Sequence, residues 1–239
     1  MNSVKFNKGN VLMVAHRGLS GIEAENTPAS FIAAANRSYY AIETDIHKTA
    51  DGKFVANHDG NLLRIAGEDI TVADSTLDEL QSVILYDKDG TKNRPDLRVA
   101  TLENYISICK KYEKHCVLEI KPEFSLEDTE AYINIIKKLD YLDNVTFISF
   151  KYENLKRIRQ ILPNHPVQFL FSVLTDEIIE SVIADRFDVD SKYTQLTKEN
   201  IELFHKAGLK VNCWTVDDKD EAEKLASWGV DYISSNILE

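Results

Sequence analysis

The sequence predicts an α/β fold, a (β/α)8 barrel, on three observations. Eight short apolar runs follow one another, and each but the last leads into a helix-like stretch. The length, 239 residues, suits one such barrel. The Gly-x-Gly-x-x-Gly turn that opens most doubly wound sheets, the rival architecture, is missing. Repeated strand–helix units with short loops imply a parallel sheet, and eight of them imply closure. One domain over 1–239 is expected, with roughly 60–100 as a small insertion after the second barrel strand.

Val11 to Ala15 reads as the first strand. A helix from Ala29 to Arg37 enters through Thr27-Pro28, with proline suited to a first turn. Tyr40 to His47 is the second strand, and Phe54 to His58 an extended excursion after the turn at Asp51-Gly52. Gly60 to Val99 is polar and turn-rich, with a short helix expected over Thr76 to Val83. Leu102 to Tyr112 is a clearer helix. Strands then alternate with helices. Cys116 to Ile120 precedes Leu126 to Leu139, and Val145 to Phe150 precedes Glu153 to Leu162, which Pro163 stops. Val167 to Phe171 precedes Asp176 to Ala184, and Phe187 to Val189 precedes Lys198 to Ala207, closed by Gly208. Lys210 to Val216 precedes Lys219 to Trp228, closed by Gly229, and Tyr232 to Ser234 is the last strand.

Hydrophobic residues make up 44% of the chain, enough for a sizeable core. The formal net charge of -11 argues against nonspecific nucleic-acid binding and against docking on anionic membranes. It leaves room for a small anionic substrate, because a local metal reverses the field. Cys109, Cys116 and Cys213 are odd in number and lack Cys-x-x-Cys spacing, so a reducing, cytoplasmic setting is the simpler reading. The apolar stretch Val11 to Ala15 is too short for a signal-peptide core, and no window approaches the ~18 apolar residues of a membrane span.

Chemistry-bearing residues gather at strand ends. His16 and Arg17 follow the first strand. Glu43 and Asp45 end the second, and Glu119 and Lys121 end the next; i, i+2 spacing puts each pair on one face. His58-Asp59 closes the excursion. In a parallel barrel the site lies at the carboxyl ends of the strands. Carboxylates brought that close repel unless a cation sits between them, and hard oxygens suit Mg2+ or Ca2+ better than Zn2+. Taken singly, a Glu-x-Asp strand end is usually solvated and Glu-x-Lys is usually a surface ion pair. Their joint placement on successive strands carries the inference.

The stretches AHRG, AENTPASF, IETDIHKTADGKFVANHD, LEIK and VNCWTV, in this order from Ala15 to about Ile237, resemble the glycerophosphodiester phosphodiesterase family. The resemblance implies a (β/α)8 barrel of the phosphodiesterase type with a small insertion. It implies hydrolysis of a small glycerophosphodiester to sn-glycerol 3-phosphate and an alcohol. Glu43, Asp45 and Glu119 would hold one divalent cation, and His16 and His58 would act as general acid and base in an order left open. Arg17 and Lys121 would hold phosphate oxygens. Trp214 would pack on the glycerol carbons, with Phe150 lining the same pocket. Glu25 and Asn26 would support them without taking part. The glycerol 2-hydroxyl would attack first, giving a cyclic phosphate that water opens. Departures from the family pattern, Ala100 before Thr101-Leu102-Glu103 and the run Gly60 to Gly67, fall in the insertion and bear on substrate choice.

Two alternatives stay open at this level. A lysophospholipase D-like activity would need an exposed apolar rim, to which Leu62, Leu63, Ile65 and Ile84-Leu85-Tyr86 could contribute. A binding barrel without chemistry is the other, and the full set of acids and histidines argues against it. His47, His115, His165 and His205 read as surface or structural, Cys213 as barrel packing, and Asp217, Asp218, Asp220 and Glu221 as a helix N-terminus.

Overall fold

The computed structural model describes residues 2–239. In chain order the elements are β1 (Leu12–Ala15), α1 (Pro28–Ala35), β2 (Ala41–Lys48), β3 (Phe54–Ala56), α2 (Leu63–Ala66), α3 (Leu77–Ser82), β4 (Ala100–Thr101) and α4 (Leu102–Lys111). There follow β5 (His115–Ile120), α5 (Leu126–Lys138), β6 (Val145–Ser149), α6 (Tyr152–Ile161), β7 (Val167–Phe171) and α7 (Asp176–Asp185). The chain continues through β8 (Asp188–Lys192), α8 (Lys198–Lys206), β9 (Val211–Trp214), α9 (Lys219–Trp228) and β10 (Tyr232–Ser235).

Strands β1, β2, β5, β6, β7, β8, β9 and β10 form a closed parallel ring, sealed where β1 pairs with both β10 and β2. Most helices start where a Thr, Ser or Asp caps the first turn; α2 and α6 begin without a side-chain cap. Thr27, Thr76, Thr101 and Thr197 form reciprocal capping boxes, and Ser125, Thr175 and Asp218 cap with one side-chain bond each. Strand side chains alternate between the ring's interior and the helix layer. The interior holds Val14, Ala41, Val117, Ile148 and Leu170, with Trp214 and Tyr232 against them. The larger cluster, including Met13, Ile42, Leu118, Phe147 and Val189, packs outward under the helices. Register between β2 and β5 is pinned from outside: the buried Tyr105 hydroxyl donates to the carbonyls of Ile42 (2.6 Å) and Val117 (3.2 Å).

The sequence-based boundaries need three corrections. The strand expected at Phe187 to Val189 runs Asp188–Lys192; its inward residues are polar, so it reads like a loop. The excursion is a small antiparallel flap: β3 pairs with the end of β2 and with the unexpected two-residue β4. The segment after it also contains α2, and it carries its own buried cluster around Leu62, Ala66, Val72, Leu80, Leu85 and Leu97. Leu62 and Leu85 are therefore core residues of that segment, and only Leu63 (52% exposed) and Tyr86 (37%) of the candidate rim stand out in solvent. Cys109, Cys116 and Cys213 are free and buried. No helix among the described residues is long and apolar enough to cross a membrane.

Candidate active site

Side-chain parity assembles the site. Counting inward from Val14, Ala41, Val117, Ile148 and Leu170, each second residue toward the carboxyl rim also faces in. That brings His16, Glu43, Asp45, Glu119, Lys121 and Phe150 to one end of the ring. Asp45 lies directly opposite Glu119 in the β2–β5 register.

The three acids are nearly out of reach of water, with Glu43 3%, Asp45 1% and Glu119 8% exposed. Each offers an oxygen within 4.8 Å of those of the other two. The Lys121 ammonium lies 2.8 Å from Glu119 Oε1 and 3.5 Å from Asp45 Oδ1. Arg17 Nε lies 3.5 Å from Asp45 Oδ2, and the Arg17 backbone N–H donates to Glu43 Oε2 at 2.7 Å. Burial opposes ionisation of Asp45, but Lys121 and then Arg17 outweigh it and hold that carboxyl below its usual range. Burial, followed by the charge of Asp45, pushes Glu43 well up and Glu119 to about 8. Asp45 Oδ1 is buried without a hydrogen-bond donor. Converging hard oxygens that repel one another, one of them orphaned, fit a divalent cation such as Mg2+ or Ca2+.

A tight turn carries Arg17 into place. Arg17 and Asn26 both adopt left-handed backbone (φ 56° and 55°), and Asn26 N donates to the Arg17 carbonyl at 3.0 Å. Gly18 (φ 74°) passes so close to α1 that an added Cβ would lie 2.4 Å from Ser30 Oγ. Asn26 Nδ2 donates to Asp45 Oδ2 at 2.9 Å while its Oδ1 accepts from Thr44 Oγ1 at 2.7 Å.

Each histidine is aimed by a neighbour on Nδ1. His58 Nδ1 meets Asp59 Oδ1 at 2.7 Å, and His16 Nδ1 meets Asn236 Oδ1 at 2.8 Å. Asn236 is oriented in turn, since its Nδ2 donates to Asp217 Oδ2 at 2.6 Å; its Oδ1 therefore accepts from His16. Burial, then the Arg17 charge, lowers the His16 pKa. Asp59 and Glu25 are tied by Arg64 of α2, with contacts of 2.7 Å to Asp59 Oδ2 and of 2.8 and 2.7 Å to the two Glu25 oxygens. Glu25 then holds Arg17 at 3.0 Å.

Between the acids and the aromatics lies a cavity of about 60 Å3, lined among others by His16, Arg17, His58, Glu119, Lys121 and Trp214. Phe150 and Trp214 meet edge to face, 5.5 Å between centroids, and the Lys121 ammonium lies 5.9 Å from the Phe150 ring. An adjoining basin of about 620 Å3 shares His16 and Arg17 and is walled by Ser20, Lys88, Asp217 and Asn236.

All nine residues singled out from sequence thus border the same cavity or its acids. Sequence reasoning missed four polar residues around them. Asp59 had a signal, its place next to His58; Arg64, on the short helix α2 of the polar segment, had none. Asn236 had none. Asp217 binds Asn236 and Ser235 instead, while Asp218 caps α9 and Asp220 and Glu221 lie in its first turn, the helix N-terminus expected. His205 pairs with Asp231 at 2.9 Å and His115 bonds Thr146 at 2.9 Å, both away from the cavity.

A closed parallel barrel with buried acids, two cations and two braced imidazoles at its carboxyl rim defines an enzyme for phosphate esters. The glycerophosphoryl diester phosphodiesterase family profile matches residues 16–237, and the chain belongs to that family, whose members are phosphoric diester hydrolases. It is 28% identical to a glycerophosphodiester phosphodiesterase of Caldanaerobacter subterraneus, covering 95% of each chain. A glycerophosphodiester phosphodiesterase of Bacillus subtilis is 28% identical, covering 95% of this chain and 83% of its relative. The fold is similar to that of an Oleispira antarctica phosphodiesterase solved with its product sn-glycerol-3-phosphate. That pair has a TM-score of 0.87 and 23% identity, over 98% of this chain and 96% of the other.

Proposed function

We propose that this protein hydrolyses small glycerophosphodiesters to sn-glycerol 3-phosphate and an alcohol, as a cation-dependent enzyme of lipid and glycerol metabolism in the cytoplasm. The observation that carries the reading is the convergence of Glu43, Asp45 and Glu119 beside two separately braced histidines. The three acids would hold one divalent cation, Mg2+ or Ca2+, which when bound offsets the charge of the phosphate oxygens. Arg17 and Lys121 add charge-assisted hydrogen bonds that strengthen as charge builds in the transition state.

His58 is the general base. Asp59 on Nδ1 leaves Nε2 as the acceptor and stabilises the imidazolium that forms. It takes the proton of the glycerol 2-hydroxyl, whose oxygen attacks phosphorus. His16 borders both the cavity and the basin; in its imidazolium form, protonated on both nitrogens, its Nε2 gives a proton to the alcohol that leaves into the basin. The cyclic phosphate is then opened by water, with the two histidines exchanging roles. Cavity size favours this substrate class. At about 60 Å3, and walled by Phe150 and Trp214, the cavity suits a compact glycerol unit better than an acyl chain. Phe150 and Trp214 cover the carbon face of that glycerol.

The test is turnover of glycerophosphocholine, read as released sn-glycerol 3-phosphate, with and without chelator. Loss of activity on chelation, its return with Mg2+ or Ca2+, and losses of at least 100-fold in Glu43→Ala and His16→Ala are expected. Unchanged rates in both variants would remove the reading. A substrate lacking the 2-hydroxyl that turned over at full speed would remove the cyclic route alone.

A further inference from the structure

Asp190 stands inside the ring on β8, 1% exposed, in a strand whose sequence reads as a loop. Its Oδ2 accepts from Asn212 Nδ2 at 3.1 Å. Asn212 is fixed from two other strands: the same Nδ2 reaches Gln168 Oε1 at 3.2 Å, and Ser234 Oγ donates to Asn212 Oδ1 at 3.4 Å. Asp190 Oδ1 has no partner in the protein. Yet the residue lines the small cavity, together with Glu119, Trp214 and Ser234. A buried carboxyl oxygen left unsatisfied is costly, and native proteins keep few such groups without a use for them. Other orphaned oxygens differ in setting. Those of Tyr39 and Tyr132 belong to the hydrophobic core, and Asp45 Oδ1 belongs to the acid cluster.

We propose that Asp190 is a substrate-binding residue. Its Oδ1 holds the terminal, C1 hydroxyl of the glycerol unit, so the cavity selects glycerol over diols that lack that hydroxyl. The inference rests on the cavity being the glycerol site. Burial, then the charge of Glu119, raises the Asp190 pKa, and an unpartnered carboxyl oxygen lining a small cavity matches a hydroxyl of the ligand. The strand also aligns the aromatic wall, because the Trp214 indole N–H donates to the Asp190 carbonyl at 3.2 Å. One residue thereby sets both the hydroxyl end and the carbon face of the ligand.

The experiment compares glycerophosphocholine with the same phosphocholine diester of propane-1,2-diol. The analogue lacks only the C1 hydroxyl and keeps the 2-hydroxyl that serves as internal nucleophile. The native enzyme is expected to prefer glycerophosphocholine by at least about tenfold in kcat/KM, mainly through KM, because a site built around a hydroxyl rejects its absence. Asp190→Leu should erase the preference, while Asp190→Asn, still able to donate and accept, should keep most of it. Equal kcat/KM for the two substrates in the native enzyme overturns the proposal. So does a preference that survives in Asp190→Leu. Failure of the native enzyme on both diesters would instead bring down the phosphodiesterase reading, and this inference with it.

Discussion

Glu43→Gln separates the fold from the cation site. Two ionised carboxylates within 4.8 Å of each other repel by at least about 3 kcal/mol at an effective dielectric constant of about 20. Glu43 faces two such neighbours, and burial, then the charge of Asp45, favours its neutral form in the cation-free protein. Glutamine is a close mimic of that neutral form and can still accept the Arg17 N–H that Glu43 Oε2 receives at 2.7 Å. In chelator the variant should melt within a few degrees of the native protein. The cation reverses the comparison. At 100 times its Kd a cation stabilises the folded state by about 2.7 kcal/mol, or roughly 5–10 °C for a chain of this length. Removing one charged ligand, at a 100-fold loss of affinity, leaves about 0.4 kcal/mol, or about 1 °C, at the same concentration. The assay is thermal unfolding of both proteins in chelator and across a Mg2+ and a Ca2+ titration. An equal cation-induced shift in the two proteins would refute the assignment of Glu43. A variant already destabilised by several kcal/mol in chelator would refute the account of the acid cluster.

Three further outcomes follow from the geometry. Arg64→Ala should lower kcat by about tenfold or more with little change in Tm, because it releases both Asp59 behind His58 and Glu25 behind Arg17. Partial recovery with added guanidinium would confirm the mechanism, and an unchanged kcat would exclude it. Gly18→Ala should destabilise by about 3 kcal/mol or more, since its Cβ would lie 2.6 Å from the Ser30 carbonyl carbon at a left-handed φ; urea unfolding reads it. His115, pulled down to about 4 by burial, then by His165 and Lys210, favours its neutral form in the folded state. Its contribution is complete above pH 6.5 and is lost as pH falls toward 4, by up to about 3 kcal/mol. His115→Gln should flatten that acid limb in pH-dependent unfolding, and an unchanged limb would contradict it.

The fold was legible because parity and period are local. Apolar runs at Cys116–Ile120 and Val145–Ser149 mark strands whatever they pair with, and Thr27-Pro28 or Gly229 mark helix ends by their own backbone chemistry. β8 was misplaced because a barrel interior lined by polar side chains breaks the hydrophobic signal; Asp190 hides there for the same reason. The site's acids and histidines were legible as pairs at strand ends. Their braces were not. Asn236 meets His16 across 220 residues of sequence, and Arg64 meets Glu25 across 39, so only the closed ring reveals them. The buried cluster beneath Leu62 and Leu85 was likewise invisible, because short apolar stretches in a polar segment do not say whether they cover or are covered.

The Tyr105 clamp on Ile42 and Val117 has an evolutionary corollary. One added or deleted residue within β2 would turn Glu43 and Asp45 outward and swing Ile42 or Ile46 into the reaction chamber. Length changes in the eight staves are therefore closed to this lineage. The segment beyond Arg64, with its own buried cluster, carries no such constraint, so new specificities can arise there while His58, Asp59 and Arg64 stay fixed.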